Sequence, residues 1–349
     1  MRFESAREIR FRYDIIRKGV KFSELYAVDG AEPTITMDLN AEIKLSLKGS
    51  FWKTSDMDVL GDHIRPYILL DGTEYPLGEY VITTMTETLT RDAGQINIEA
   101  YDLTYLAKET RIEALSEISN GNRYTDVVQA LLITSGITRI LAENSPETIK
   151  TYREDWDIGT AHLTICNDLL SEINYNSVWC DLDGSTRITR YVPPSVRNIQ
   201  HTYINDQFSV LKDTVTRETD LFEKFNVFRC VVSNPDYEEP MVAISVNDDP
   251  GSILSTVRRG RRFSPVVKLD NISSQEELQI YADNLKIKSM QVNETITFTT
   301  AIMPNHSVGD VIALYNHQIN GAIYEESSWS IPMRYDGEMT HKARRIAYL

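Results

Sequence analysis

Cysteine is scarce: three in 349 residues, at 166, 180 and 230, with no C-x-x-C spacing. A disulfide framework and a zinc-finger pattern are thereby excluded, and buried, reduced thiols are expected, Cys166 and Cys180 lying in apolar runs. No apolar run approaches the ~18 residues of a membrane span, and the start, Met1-Arg2-Phe3-Glu4-Ser5, lacks the apolar stretch of a secretory signal. A soluble protein without an address is expected. Positive charge is also short, since 36 Lys and Arg against 51 Asp and Glu leave a net charge of -15. That is the wrong sign for gripping nucleic acid through its phosphates. It suits solubility, and equally a channel through which DNA slides without sticking.

Catalytic signatures are missing too. The six histidines, at 63, 162, 201, 306, 317 and 341, form no His-Glu-x-x-His pair, and there is neither a Gly-x-Ser-x-Gly elbow nor a Gly-rich phosphate loop with Lys. Asp181-Leu182-Asp183-Gly184 and Asp248-Asp249-Pro250-Gly251 read as turns, because a calcium loop needs a longer ligand series ending in Glu. No catalytic residue, cofactor or metal is expected.

What is present is a repeat. Gly309-Asp310 opens the apolar run 311–315 and is followed by Gly321, Tyr324, Trp329 and Gly337; Gly61-Asp62 opens 63–67 and is followed by Gly78, Tyr80, Asp92-Ala93-Gly94 and Ala100. From the first Gly to the Tyr is 19 positions in one copy and 15 in the other, and from the Tyr to the turn Gly 14 and 13. Each run alternates apolar and polar residues and each turn carries a Gly, so both copies predict antiparallel strands, either two unrelated meanders that each need turns or a duplicated small barrel, the reading taken here.

The fold class expected is α+β, mainly β. Alternation predicts about six strands before residue 106, within a first barrel at 1–105. Helical spacing then sets in. Val127, Val128, Leu131 and Leu132 share one helix face before a Ser135-Gly136 stop, and Leu163, Cys166, Leu170 and Ile173 share another, in an α/β insert at 106–200 ending near Pro193-Pro194. Strands return over 201–235 and 290–349 as the second barrel. A small strand-helix unit at 236–289 carries a helix over 274–289, capped at Ser273-Ser274, with Leu278, Tyr281, Ala282 and Leu285 as its stripe. Arg258-Arg259-Gly260-Arg261-Arg262 is the basic cluster of this acidic chain. It reads as a solvated loop, or as a docking segment for an acidic partner or a neighbouring copy. Candidate interaction residues are therefore Arg258, Arg259, Arg261, Arg262, Gly61, Asp62, Gly309 and Asp310.

The order barrel, α/β insert, barrel, together with Trp156-Asp157-Ile158-Gly159-Thr160 leading to 169–174 and 179–184, the helix 274–285 and Pro304-Asn305-His306-Ser307-Val308-Gly309-Asp310, resembles the baseplate hub family of phage tails, which also forms the N-terminal part of tail-associated lysins. The resemblance implies a non-enzymatic virion protein made in the host cytoplasm. It implies a homotrimer whose six barrels match a sixfold tail tube or distal-tail protein, hold the tape-measure end, carry a spike or fibre, and let DNA pass without specific binding. A chain stopping at Leu349 leaves no room for an appended hydrolase, which disfavours the lysin branch. The alternatives are a wall-degrading tail enzyme, which would need two facing carboxylates, and an adhesin using Trp52 and Trp329.

Overall fold

Strand alternation is realised twice over in one large sheet. The computed structural model describes residues 8–345 except 55–56, 90–93, 114–117, 151–155, 195–196, 206–209, 219–224, 233–239, 253, 270–271, 273, 291–293 and 317–318. Asp92, Ala93, Ser273 and His317 of the sequence reading lie outside the described residues.

The chain opens with β1 (Ile9–Arg17), β2 (Val20–Leu25), β3 (Thr34–Asp38), β4 (Leu45–Trp52), β5 (Asp62–Leu70), β6 (Thr73–Pro76), β7 (Tyr80–Leu89) and β8 (Gly94–Asp102). The insert follows as α1 (Thr104–Glu109), α2 (Tyr124–Thr134), β9 (Ile140–Ala142), α3 (His162–Glu172), β10 (Trp179–Cys180) and β11 (Thr186–Ile188). After β12 (His201–Ile204) and β13 (Leu211–Glu218) come β14 (Val227–Val232), β15 (Met241–Val246), α4 (Thr256–Arg259), β16 (Val266–Leu269) and α5 (Gln275–Met290). The chain closes with β17 (Thr295–Ala301), β18 (Val311–Asn316), β19 (Ile319–Pro332) and β20 (Glu338–Arg345).

Fourteen strands share one sheet. In the first module β4 pairs β8, β8 pairs β7, β7 pairs β5, β5 pairs β1 and β1 pairs β2. Beyond β2 the chain returns to β4, where Ala27 bridges Phe51 and the Trp52 amide donates to Tyr26 O at 2.8 Å. The second module runs β12-β18-β19-β20-β17-β13. A seam joins the two, because the end of β19 pairs β3 with Trp329 opposite Met37 and Ile331 opposite Ile35.

Eight strands stand where six were expected. The two missed, β2 and β6, are short returns after Lys18-Gly19 and Asp71-Gly72, all four residues at positive φ, the backbone a two-residue hairpin turn requires. Ile15, Leu47, Ile64, Ile68, Phe51 and Tyr80 fill the first core.

In the insert, α2 and α3 bury Val128, Leu132, Leu163, Cys166 and Leu170 against a small sheet in which β11 pairs β10 antiparallel and β9 parallel. β14 is central in a third sheet, between β15 and β16, and α5 packs Leu278 and Ala282 on its Cys230, Val232 and Ala243. All three thiols are buried. No helix among the described residues is long and apolar enough to cross a membrane.

Candidate functional site

The two modules share one strand order and, along their paired strands, one register. Each has four strands in the spatial order first, fourth, third, second: β4-β8-β7-β5 and β17-β20-β19-β18, a Greek-key order. Ile64 faces Tyr80 in one and Ile312 faces Tyr324 in the other. Tyr80 then pairs Asp102, and Tyr324 pairs Arg345. Three residues past each Tyr the register slips by one, at Thr83 and at Ser327. Each bulge residue turns its hydroxyl to the facing strand, Thr83 Oγ1 to Glu99 O and Ser327 Oγ to Lys342 O, both at 3.0 Å. Bulges are specific local devices. Two at one position with one bond each mark a duplicated frame rather than two unrelated meanders.

The Gly-Asp pairs are the corners of this frame. Asp62 accepts the Asp58 amide at 2.8 Å and two guanidinium bonds from Arg17 of β1, at 2.7 and 2.8 Å. Asp310 accepts the Ser307 amide at 2.8 Å and faces His201 Nε2 of β12 at 3.0 Å. In both copies the carboxylate closes its own turn and ties it to a flanking strand. The Arg17 bonds hold Asp62 below the usual carboxylate range. Burial alone would raise Asp310, but its bonds to His201 and the Ser307 amide bring it down. Gly309, at φ +69°, accepts a hydrogen bond from Arg197 Nη1 on its carbonyl at 2.8 Å. It also lines a cavity of about 240 Å³ shared with Lys44, Trp179 and Glu325.

The cores differ. Continuing the register, Ile82, Ile98 and Phe51 of the first module correspond to Glu326, His341 and Thr300 of the second. Glu326 and His341 are wholly unexposed, and His306 is 1% exposed. His306 Nδ1 lies 2.6 Å from Glu326 Oε2, and His341 Nδ1 2.5 Å from Glu326 Oε1. The far ring nitrogens meet hydroxyls, Tyr203 at 2.5 Å from His306 Nε2 and Thr300 at 2.9 Å from His341 Nε2. His201 stacks on His306 with centroids 3.9 Å apart.

With Tyr203 donating to His306 Nε2, His306 Nδ1–H to Glu326 and His341 Nε2–H to Thr300, one proton remains for Glu326 and His341 to share. Burial raises Glu326 and lowers His341; burial and then His201 take His306 down to about 3. The neutral form of each is favoured. Nothing in the sequence spacing brings these residues together. Aligning the two copies through their Tyr would have exposed a Glu where the other copy has Ile.

No protein-family model and no curated protein matches the chain. Solved structures do. The tail protein from Neisseria meningitidis MC58 aligns with a TM-score of 0.68 at 13% identity over 96% of each chain. The 43 kDa tail protein of prophage MuSo2 from Shewanella oneidensis aligns at 0.66 and 10%, over 96% of this chain and 98% of its own. Prophage tail protein gp18 from Listeria monocytogenes EGD-e aligns at 0.62 and 10%, over 95% and 94%. The chain has the fold of phage tail proteins. At the level of fold, the resemblance read from the sequence is borne out.

On this tail-protein fold the arginine cluster stands on a tethered loop. Ser255 caps α4 by accepting the Arg258 amide, and Gly260 ends it at φ +63°. The fully buried Asn226 holds the loop through Leu254 O, Arg261 O and the Phe263 amide at 3.1, 3.0 and 2.7 Å. Arg259 and Arg261 lie over the Phe263 ring, 4.8 and 4.4 Å from its centroid, while Arg258, Arg261 and Arg262 are exposed.

The loop leads into β16 of the third sheet, whereas the two Gly-Asp corners open β5 and β18 of the large sheet. Asp181 and Asp249 serve turns, accepting the Ser185 and Gly251 amides at 2.8 Å. Trp329 is 1% exposed and gives its indole N–H to Ser307 O at 3.1 Å, so of the two aromatic candidates only Trp52, at 39%, faces solvent.

Proposed function

We propose that the chain is a structural subunit of a phage-type tail, working as a homotrimeric hub at the tail tip of the virion. The observation behind this is the register-for-register repeat of the two modules, down to the bulge hydroxyl. A threefold assembly meets a sixfold partner evenly only if each subunit offers two equivalent surfaces. Likeness to tail proteins over nearly the whole chain supports the same reading. Three copies would set six frames around a lumen, facing a sixfold tube or distal-tail protein on one side and a threefold spike or fibre on the other. The tape-measure end would sit at the lumen. The net charge of -15 suits DNA passing without adhesion.

Within such a ring the proposed division is 1–105 and 201–218 with 294–349 as tube-like domains, 106–200 as the insert and 225–290 as the smaller unit, since β14, expected in the second barrel as part of 201–235, pairs β15 and β16 under α5 instead. The Gly61-Asp62 and Gly309-Asp310 corners would shape matching ends. The loop of Arg258, Arg259, Arg261 and Arg262 would contact acidic neighbours. A non-enzymatic role follows, and no particular observation favours the wall-degrading alternative.

Native mass spectrometry of the chain, alone and mixed with its tail-tube protein, tests the reading alongside micrographs of labelled particles. Three times the 39.9 kDa chain mass and label on the tail axis are expected. A monomer under both conditions, or label off the axis, overturns it.

A further inference from the structure

The polar core of the second module holds more ionisable groups than its fold requires. Two carboxylates, Glu326 and Asp310, lie inside it with three imidazoles, and among the described residues neither is paired with Lys or Arg. A buried carboxylate is costly unless a positive charge accompanies it. The first module shows that the frame is built equally well with Ile82 and Ile98 in place of Glu326 and His341.

The geometry points to a divalent metal centre of zinc type, held by His306 Nδ1, His341 Nδ1 and the Glu326 carboxylate. The donor atoms of this trio lie within 4.8 Å of one another. Both Nδ1 atoms aim at the carboxylate, and each far nitrogen faces a hydroxyl oxygen, Tyr203 or Thr300. Thr300 gives its own proton to Ala301 O and so accepts His341 Nε2–H, leaving that Nδ1 free for a metal, while Tyr203 can hold His306 in the same tautomer once it accepts instead of donating. Nitrogen and carboxylate donors suit zinc, with bonds of about 2.0–2.2 Å, so the rings and carboxylate must part by about half an ångström from their present contacts.

On binding, the proton shared by Glu326 and His341 leaves to solvent and the His306 proton moves from Nδ1 to Nε2, the Tyr203 O–H turning away so that its oxygen accepts the new N–H. The ion's two positive charges then balance Glu326 and Asp310, the latter linked through His201 stacked on His306. The centre would clamp the His306 loop onto β19 and β20. It does not depend on the trimer.

The full chain, expressed in zinc-supplemented medium and desalted, is assayed by elemental analysis and by thermal melting with and without a strong chelator. About one equivalent of metal per chain, a Tm that chelator lowers, and visible absorption on replacement by cobalt(II) are expected. E326I/H341I, carrying the first module's residues, should hold no metal and melt independently of chelator. A wild-type chain without stoichiometric metal and with a chelator-insensitive Tm overturns the centre. That readout needs no variant to fold.

Discussion

Replacing Trp329 by Ala tests whether the two modules are one cooperative unit. Trp329 is 1% exposed, sits on the part of β19 that pairs β3 opposite Met37, and donates to Ser307 O. Emptying so large a buried site costs about 3–5 kcal/mol, and the stranded Ser307 carbonyl adds about 1 kcal/mol. At about 2.1 cal/mol/K per residue, a 349-residue chain unfolding as one has an entropy near 0.7 kcal/mol/K, so a loss of about 5 kcal/mol lowers Tm by about 7 °C. Calorimetry should show a single transition moved by that amount. In a smaller unit melting alone, the same loss would move Tm several-fold further and leave a second transition in place. Two transitions of which only one shifts, or a drop below about 2 °C, would refute the coupling.

Thr83→Val and Ser327→Ala each remove one bulge hydroxyl, and each should cost about 0.5–1.5 kcal/mol in urea titration; a cost at one site and none at the other would deny their equivalence. Asp62, held low by Arg17, should contribute stability that is full above the ordinary carboxylate range near pH 4 and is lost as pH falls through its lowered value. The Tm gap between wild type and D62N should therefore be wide at pH 7 and close towards pH 3, and a gap that widens in acid contradicts the pairing. Reversing the exposed charges in R258E/R261E/R262E should leave Tm within about 1 °C but weaken self-association in low salt by native mass spectrometry. Asn226→Leu should instead destabilise by about 2–4 kcal/mol, because three loop bonds lose their partner.

The duplication was legible because the residues that recur are those a turn cannot exchange: Gly at the corner, Asp beside it, Tyr on the next strand. The unequal 19 and 15 positions also have a physical source. The first copy carries the extra hairpin strand β6, which has no counterpart among the described residues of the second. The 14 and 13 positions from Tyr to Gly hide a closer match, since Gly94 and Gly337 both stand eight residues before the partner of the Tyr, Asp102 and Arg345.

The helices were legible from their stripes, Val128 and Leu132 on α2 and Leu278 and Ala282 on α5. Less could be read where structure depends on partners distant in sequence. Glu326 and His341 obey strand alternation like any inward residues, and His306 sits in a loop. Only pairing across β19 and β20 brings the three together.

The seam has a consequence for how the protein is made. β3 leaves the ribosome near the start of synthesis, yet its partner on β19 lies almost at the other end of the chain. Until then the edge of β3 is an open template for strand addition by another molecule. Closing so long a loop also makes late assembly slow. Expression in cells should therefore be sensitive to temperature and chaperone supply, and truncation ahead of β19 should yield aggregates rather than a free first module.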